Sequence, residues 1–450
     1  MHSHMNTHTH TVVWPSPISC GSTACVARKT DGSVEAWGKS GFGGDSTLNN
    51  NVAPTDVVDT KCYGGACMAI MADRTAVVWG VALFADTSNI DLTNVADIVC
   101  GSAVDPGRSA CVVRRLDGTA EAWGNANYGG DSNNPSATEL TNVVDIHCSV
   151  HVCVARKADG TAVAWGEASR GGDTSGVDLT NVADIKCTAY ACAARKVDGT
   201  VVAWGNAGSG GAVPTDPVLT HVVDIACGTT ACTALDEFGS VRAWGHASNG
   251  GRTEDMPGHW AGSTTELTNV VAIQCGGYVC VARKADGTAE AWGTPSNGGD
   301  TSGVDLTNVA HIECGIYGSH GGACVALKTD GTAEAWGLAE NGGDASGVDL
   351  TSVVDITCGG HMCVALKADG SAEAWGGYGA HYECSGEATC YDRDLTQIGY
   401  NGVDKSLLNR KGLAVAKQDG TTHQPHLSHP CREVSRTLTV SCPTARRRGS

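Results

Sequence analysis

The 450-residue chain carries 48 acidic against 30 basic side chains, a formal charge of −18, and a surface of that sign repels phosphate, which argues against nucleic-acid and anionic-membrane partners. With 60 glycines, three phenylalanines and 5% aromatics, the core must be built from Ala, Val, Cys and Trp, side chains that suit thin, closely stacked sheets. No stretch reaches the ~20 apolar residues of a membrane span.

The chain begins with "MHSHMNTHTH". His2, His4, His8 and His10 could hold a transition metal loosely, but residues 1–10 read better as a disordered, His-rich tail. The start shows no apolar h-region, so the expectation from the N-terminus is a cytoplasmic protein. The 22 cysteines pull the other way: if they are oxidised, the address is extracellular. No Asn-x-Ser/Thr sequon adds to that side. Next comes "TVVW" at 11–14, which resembles an orphan third strand.

From residue 11 to 376 one unit recurs nine times, each copy closing on Trp-Gly, with Trp at 37, 79, 123, 165, 204, 244, 292, 336 and 375. Each unit contains three extended segments. The first, "NVVDI", is rich in β-branched residues, and "CVARK" and "TAEAW" follow across an Asp-Gly turn. Asp-Gly is a strong hairpin signal, read here as a turn whose two central residues both take φ > 0. Seven units keep it; the second has Asp73-Arg74 and the sixth stretches to "LDEFGSV", so those two turns should differ. No sustained 3.6-residue apolar period appears, so helices are not expected. Three short strands cannot stand alone, and repetition lets each sheet bury its faces against its neighbours. The residue before the repeated Trp is Ala in every unit but the second, which has Val78; a small residue there lets sheets approach. The expected fold is an all-β propeller of about nine blades of roughly 40 residues, three- to four-stranded, with a seven-bladed ring plus extra repeats as the alternative.

The pattern I-x-C-G-x-x-x-C-V-A-L-K-x-D-G-x-A-x-A-W-G, over about residues 14–376, resembles the repeat of the regulator of chromosome condensation family, in the short-blade form of the beta-lactamase inhibitor protein. The resemblance implies a propeller, typically seven-bladed, that acts by protein–protein contact through its loops. It also implies, as an alternative function, guanine-nucleotide exchange on a small GTPase. This chain departs from the family where Gly-Gln-Leu-Gly after Trp-Gly becomes "GGDTSG", where nine units replace seven, and where Cys replaces the small residues flanking the tight loop.

Eighteen cysteines fall in nine pairs, one per unit: Cys20-Cys25, Cys62-Cys67, Cys100-Cys111, Cys148-Cys153, Cys187-Cys192, Cys227-Cys232, Cys275-Cys280, Cys314-Cys324 and Cys358-Cys363. Both members survive where the intervening loop has lengthened, at 100–111 and 314–324, which argues that they are neighbours across the loop ends, close enough for a disulfide. Disulfide staples are the favoured reading. Reduced cysteines packed as small hydrophobes and metal binding stay open, the last as part of a cysteine-rich redox or metal-buffering alternative.

Other candidates for chemistry are thin. Asp173, Ser175 and Asp178 in "GGDTSGVD" offer oxygen ligands but no full calcium loop, and a Gly-rich loop capped by Asp is the better reading. Glu35, Glu121, Glu290, Glu334 and Glu373 recur two residues before Trp and are read as surface. No nucleophile elbow, phosphate-binding Gly loop or paired-carboxylate site is present, so no enzyme activity, cofactor or metal is expected. Function in such a scaffold sits in the irregular loops. The candidate partner-binding residues are Trp260, the foremost aromatic anchor, with His259, Arg108, Tyr317 and Tyr382. The reading is a monomeric, non-enzymatic protein-binding scaffold.

Beyond the last unit, 377–410 is an irregular insert with a further pair, Cys384-Cys390. "KGLAVAKQDGTT" at 411–422 resembles a degenerate repeat that could pair with 11–14 to close the ring. Residues 423–450, with Cys431-Cys442 and the basic end "ARRRGS", read as a disordered tail.

Overall fold

Among the described residues, valine-rich and Ala-rich segments of three to seven residues, cut by Gly at fixed positions, form 27 strands in nine three-stranded antiparallel sheets. The computed structural model describes residues 17–46, 53–101, 108, 110–131, 139–215, 218–251, 267–315 and 322–377. All of them belong to a unit spanning Ser16–Tyr400; a second unit, Met1–Pro15 with Asn401–Ser450, lies outside them. Strands are numbered in chain order, three per sheet. The first sheet is β1 (Ile18–Cys20), β2 (Ala24–Arg28) and β3 (Val34–Gly38), the fourth is β10 (Val143–Cys148), β11 (Val152–Lys157) and β12 (Ala162–Gly166), and the ninth begins with β25 (Val353–Cys358) and β26 (Met362–Lys367).

Every first strand touches the first strand of the next sheet, and β25 touches β1 in the same way. Nine blades therefore close into one ring, with the first strands innermost; the seven-blade alternative does not apply. At the closing seam β1 packs on β25 and β26, and Gly360 N–H donates to Gly21 O at 3.0 Å. The strand pairing expected from 11–14 and 411–422 lies outside the described residues.

Cores lie between blades. Val152 and Val154 of the fourth blade pack on Ile185, Cys192, Ala194 and Trp204 of the fifth, and the other seams from the first blade to the ninth repeat this with local substitutions. Two hydrogen bonds recur at the eight seams from the first blade to the ninth. From the second blade to the ninth, the Trp indole N–H donates to a carbonyl in the connector after the preceding blade, at 2.8–3.1 Å. The first Val of each of these blades donates to the carbonyl of the residue closing the preceding blade's hairpin turn, at 2.7–3.0 Å. The Gly after each Trp turns the chain at positive φ, 91 to 120° in all nine units; at Gly80 (φ 118°) a Cβ would also lie 2.5 Å from Gly65 O. That is why Trp is always followed by Gly.

Four local expectations are corrected. In "KADGT" only Gly160 has positive φ. Lys157 N–H bonds Thr161 O and Gly160 N–H bonds Lys157 O, a three-residue loop with a left-handed Gly rather than a two-residue turn. The second and sixth turns keep this backbone: Arg74 accepts φ 67° in place of Gly, and Gly239 N–H bonds Asp236 O at 3.1 Å. The Asn of "NVVDI" stands outside its strand, at φ 52 to 61° in Asn94, Asn142, Asn181, Asn269 and Asn308, because Asn tolerates the left-handed region. Helix is not wholly absent either: short 3-10 turns follow most blades, and Ala82–Ala85 forms one α-turn.

Candidate functional site

The register decides which residues share a rim of the ring. Cys153 pairs with Trp165 and Val152 with Gly166, so the cysteine turns and the connectors emerge together, opposite the Asp-Gly turns. Within each blade the two cysteines face each other across the first and second strands, joined as disulfides with Cα atoms 4.0–4.1 Å apart. The second cysteine of every pair is fully buried against the preceding blade. Several turns are hydrogen-bonded to the next blade's turn: Ser22 N–H to Gly64 O, Ala189 N–H to Thr229 O and Thr229 N–H to Gly277 O. This cysteine rim is a braced surface, on which exposed Arg108 lies. Trp260, His259, Tyr317 and Tyr382 lie outside the described residues, as do Cys384-Cys390 and Cys431-Cys442.

The turn of the fourth blade carries His151, whose side chain is only 5% exposed. Its ring lies 5.0 Å from that of Tyr128, in the connector before its blade, and is stacked at 5.7 Å on Tyr190, in the fifth blade's turn. The Arg170 guanidinium sits over the Tyr190 ring at 4.8 Å and contacts His151 Nε2. A guanidinium can only donate, so Nε2 accepts and Nδ1 carries the proton. Nδ1 points toward Glu167 Oε2 at 3.3 Å without the alignment of a hydrogen bond. Glu167 in turn holds Arg170 Nε at 3.0 Å. Burial, then the positive charges of Arg170 and Arg108, hold the His151 pKa down at about 4, so the imidazole is neutral near pH 7. Of the residues chosen from sequence, Arg108 is the one placed near this cluster.

Asn127, Tyr128, Gly166, Glu167, Ala168 and Arg170 border an open depression of about 510 Å³. Three of these residues touch the His151 ring. Further along the rim, burial and the nearby Tyr190 phenol push the Tyr278 pKa up. Sequence reasoning missed His151, Tyr190 and Arg170. The available signal was that the third residue between the paired cysteines, Thr23, Gly65 or Thr230 in other units, is His151, Tyr190, Tyr278 or His361 in these.

The inner strands carry charge, but most of it has structural work. Asp59, Asp145, Asp184 and Asp355 sit at bulges and accept the following backbone N–H at 2.8–3.0 Å. Lys61 Nζ bonds Asp97 Oδ1 at 2.5 Å across a seam; burial pulls its pKa down, and Tyr63 and Asp97 outweigh that and leave it raised. Burial, with Lys186 beside it, lowers His147 to about 4.

The recurring glutamates are partnered: Glu35 with Lys29, Glu121 with Arg115, Glu290 with Lys284, Glu334 with Lys328 and Glu373 with Lys367. In "GGDTSGVD", Asp173 accepts from Ser175 N–H at 2.8 Å, while Asp178 takes Thr180 and Lys196. Both are loop caps. Among the described residues no group of three or more His, Cys, Asp or Glu is placed to hold a metal.

No family model and no curated protein matches the chain. Among solved structures it is similar to yeast RCC1 (Prp20) in its complex with Kap60, at 17% identity over 84% of each chain with a TM-score of 0.40. It is also similar to human WBSCR16, at 15% identity over 64% of this chain and 87% of that one, TM-score 0.34. The ectodomain of the Physcomitrella patens receptor kinase CR4 is similar at 14% identity over 62% of this chain and 73% of its own, TM-score 0.40.

Proposed function

We propose that the protein is a non-enzymatic scaffold that holds a protein partner on its cysteine rim, anchored at Tyr128, His151, Arg170 and Tyr190 with Arg108 at the edge. The observation that carries this reading is the packed Tyr-His-Arg-Tyr cluster beside an open depression, where the turns depart from the repeat. Tyr and Arg held rigid at a surface supply most of the energy of typical interfaces, and neutral His151 lets a partner bury it without stripping water from a charge. A photo-crosslinking residue at exposed Ala168, used in extract from the native source, should trap a discrete partner. Arg170→Ala and Tyr190→Ala should lose that adduct at unchanged melting temperature. An adduct of equal yield in both variants contradicts the reading.

A further inference from the structure

The opposite rim departs from the repeat in a different way. Eight large apolar residues are exposed among the described residues, and seven of them lie at the Asp-Gly rim. Leu116, Val197 and Phe238 are in the turns; Val58, Val144, Val223 and Val271 are the second residues of first strands. In the turns of the other units the residue before Asp is Thr30, Ala72, Ala158, Ala285, Thr329 or Ala368. Val197, at 74% exposure, therefore stands where the repeat needs only a small side chain, and Phe238, at 70%, stands where the repeat carries its capping Asp. In the sixth turn the Asp position itself has become Phe238, and Asp236 has taken over the cap by accepting Ser240 N–H at 2.8 Å. The fold thus keeps its hydrogen bond while presenting a phenyl ring to solvent.

Val197, Val223, Phe238 and Val271 form one arc over the fifth to seventh blades. Gly199, two residues past Val197, accepts from Val222 N–H at 2.9 Å, next to Val223. The Phe238 ring lies 5.6 Å from the His221 ring. Gly239 accepts from Val270 N–H at 3.0 Å, next to Val271. The arc is bordered by Asp198, Asp236, Glu237 and Asp286, whereas the neighbouring Lys196 and Lys284 are already paired with Asp178 and Glu290.

We propose that this arc seats a cationic amphipathic segment of a protein partner, with apolar side chains on Val197, Val223, Phe238 and Val271 and Lys or Arg against the bordering carboxylates. Exposed apolar residues in a contiguous run mark interaction sites, and the charge around them selects the occupant. A second copy docked face to face would oppose two sets of carboxylates, and an anionic lipid surface would be repelled by them. The proposal is independent of the cysteine-rim reading, since the two sites share no residue.

The test is a titration of the full chain with a labelled peptide of Leu and Lys at helical spacing, beside a shuffled peptide of the same composition. Val197→Ala with Phe238→Asp writes into these turns the residues other blades already carry, so melting temperature should hold. The proposal expects the amphipathic peptide to bind the native chain and to bind the double variant about tenfold more weakly, with the shuffled peptide weak on both. Equal binding by native chain and variant, or shuffled peptide binding as tight as amphipathic, overturns it. So does sedimentation showing a dimer that the double variant dissolves, or binding to anionic vesicles that the double variant loses, because the occupant is then a second copy or a lipid surface.

Discussion

The indole nitrogen of Trp165 donates to Gly129 O at 2.9 Å, across the seam between the third and fourth blades. The same Trp is fully buried against the third blade's Val112, Ala120 and Ala122. One residue thus supplies both the packing and the directional contact that fix how far one blade is rotated against the next.

Trp165→Ala should cost about 3–5 kcal/mol through the cavity it leaves. Trp165→Phe keeps much of the volume and loses the hydrogen bond, leaving a buried carbonyl unpaired at a cost of about 1–3 kcal/mol. Urea unfolding of the two variants separates the contributions; native-like stability of Trp165→Phe would mean that the indole N–H carries nothing.

Each cysteine pair five residues apart closes a short loop, worth ~2 kcal/mol in the chain-entropy view. Cys148→Ser with Cys153→Ser should lower stability by about that amount and leave the other blades assembled. The denaturant midpoint measures the loss, and an unchanged midpoint contradicts a staple at this site.

His151 gives a pH dependence of known sign. Its folded pKa of about 4 lies below the ordinary 6.5, so the unfolded chain takes up the proton first. The native state's advantage is whole above pH 6.5 and is lost as pH falls toward 4, by up to about 3 kcal/mol. Unfolding of native protein and His151→Gln should show a stability gap that shrinks across this window; a gap constant with pH would mean that His151 is not held neutral.

Much of the fold was legible because three-dimensional roles map onto fixed positions in the repeat. Trp37, Gly38 and the paired Cys20 and Cys25 recur in every unit, and each plays the same part wherever it recurs. What stayed hidden depended on contacts between units. The hook from Val182 N–H to Gly160 O and the neutral state of His151 arise only when one blade meets the next. The turn type was misread because Asp-Gly fits two loop lengths, and the hydrogen bond from Lys157 to Thr161 selects one. The cluster at His151 was partly visible as a departure inside the cysteine turns, whereas attention to long loops led to Trp260 and Tyr317, outside the described residues. Phe238 was visible as an odd residue in "LDEFGSV", but its exposure follows from Asp236 taking the cap, which only the folded turn shows.

The account rests on nine blades closing into one ring. Spin labels at Ala368 and Thr30, exposed turn residues of the ninth and first blades, measure that closure directly, with Thr329 and Ala368 on the eighth and ninth as the reference step. A closed ring predicts that the two pairs give coincident distance distributions by electron–electron double resonance. A much longer distance for Ala368 with Thr30 would show an open array and contradict the ring.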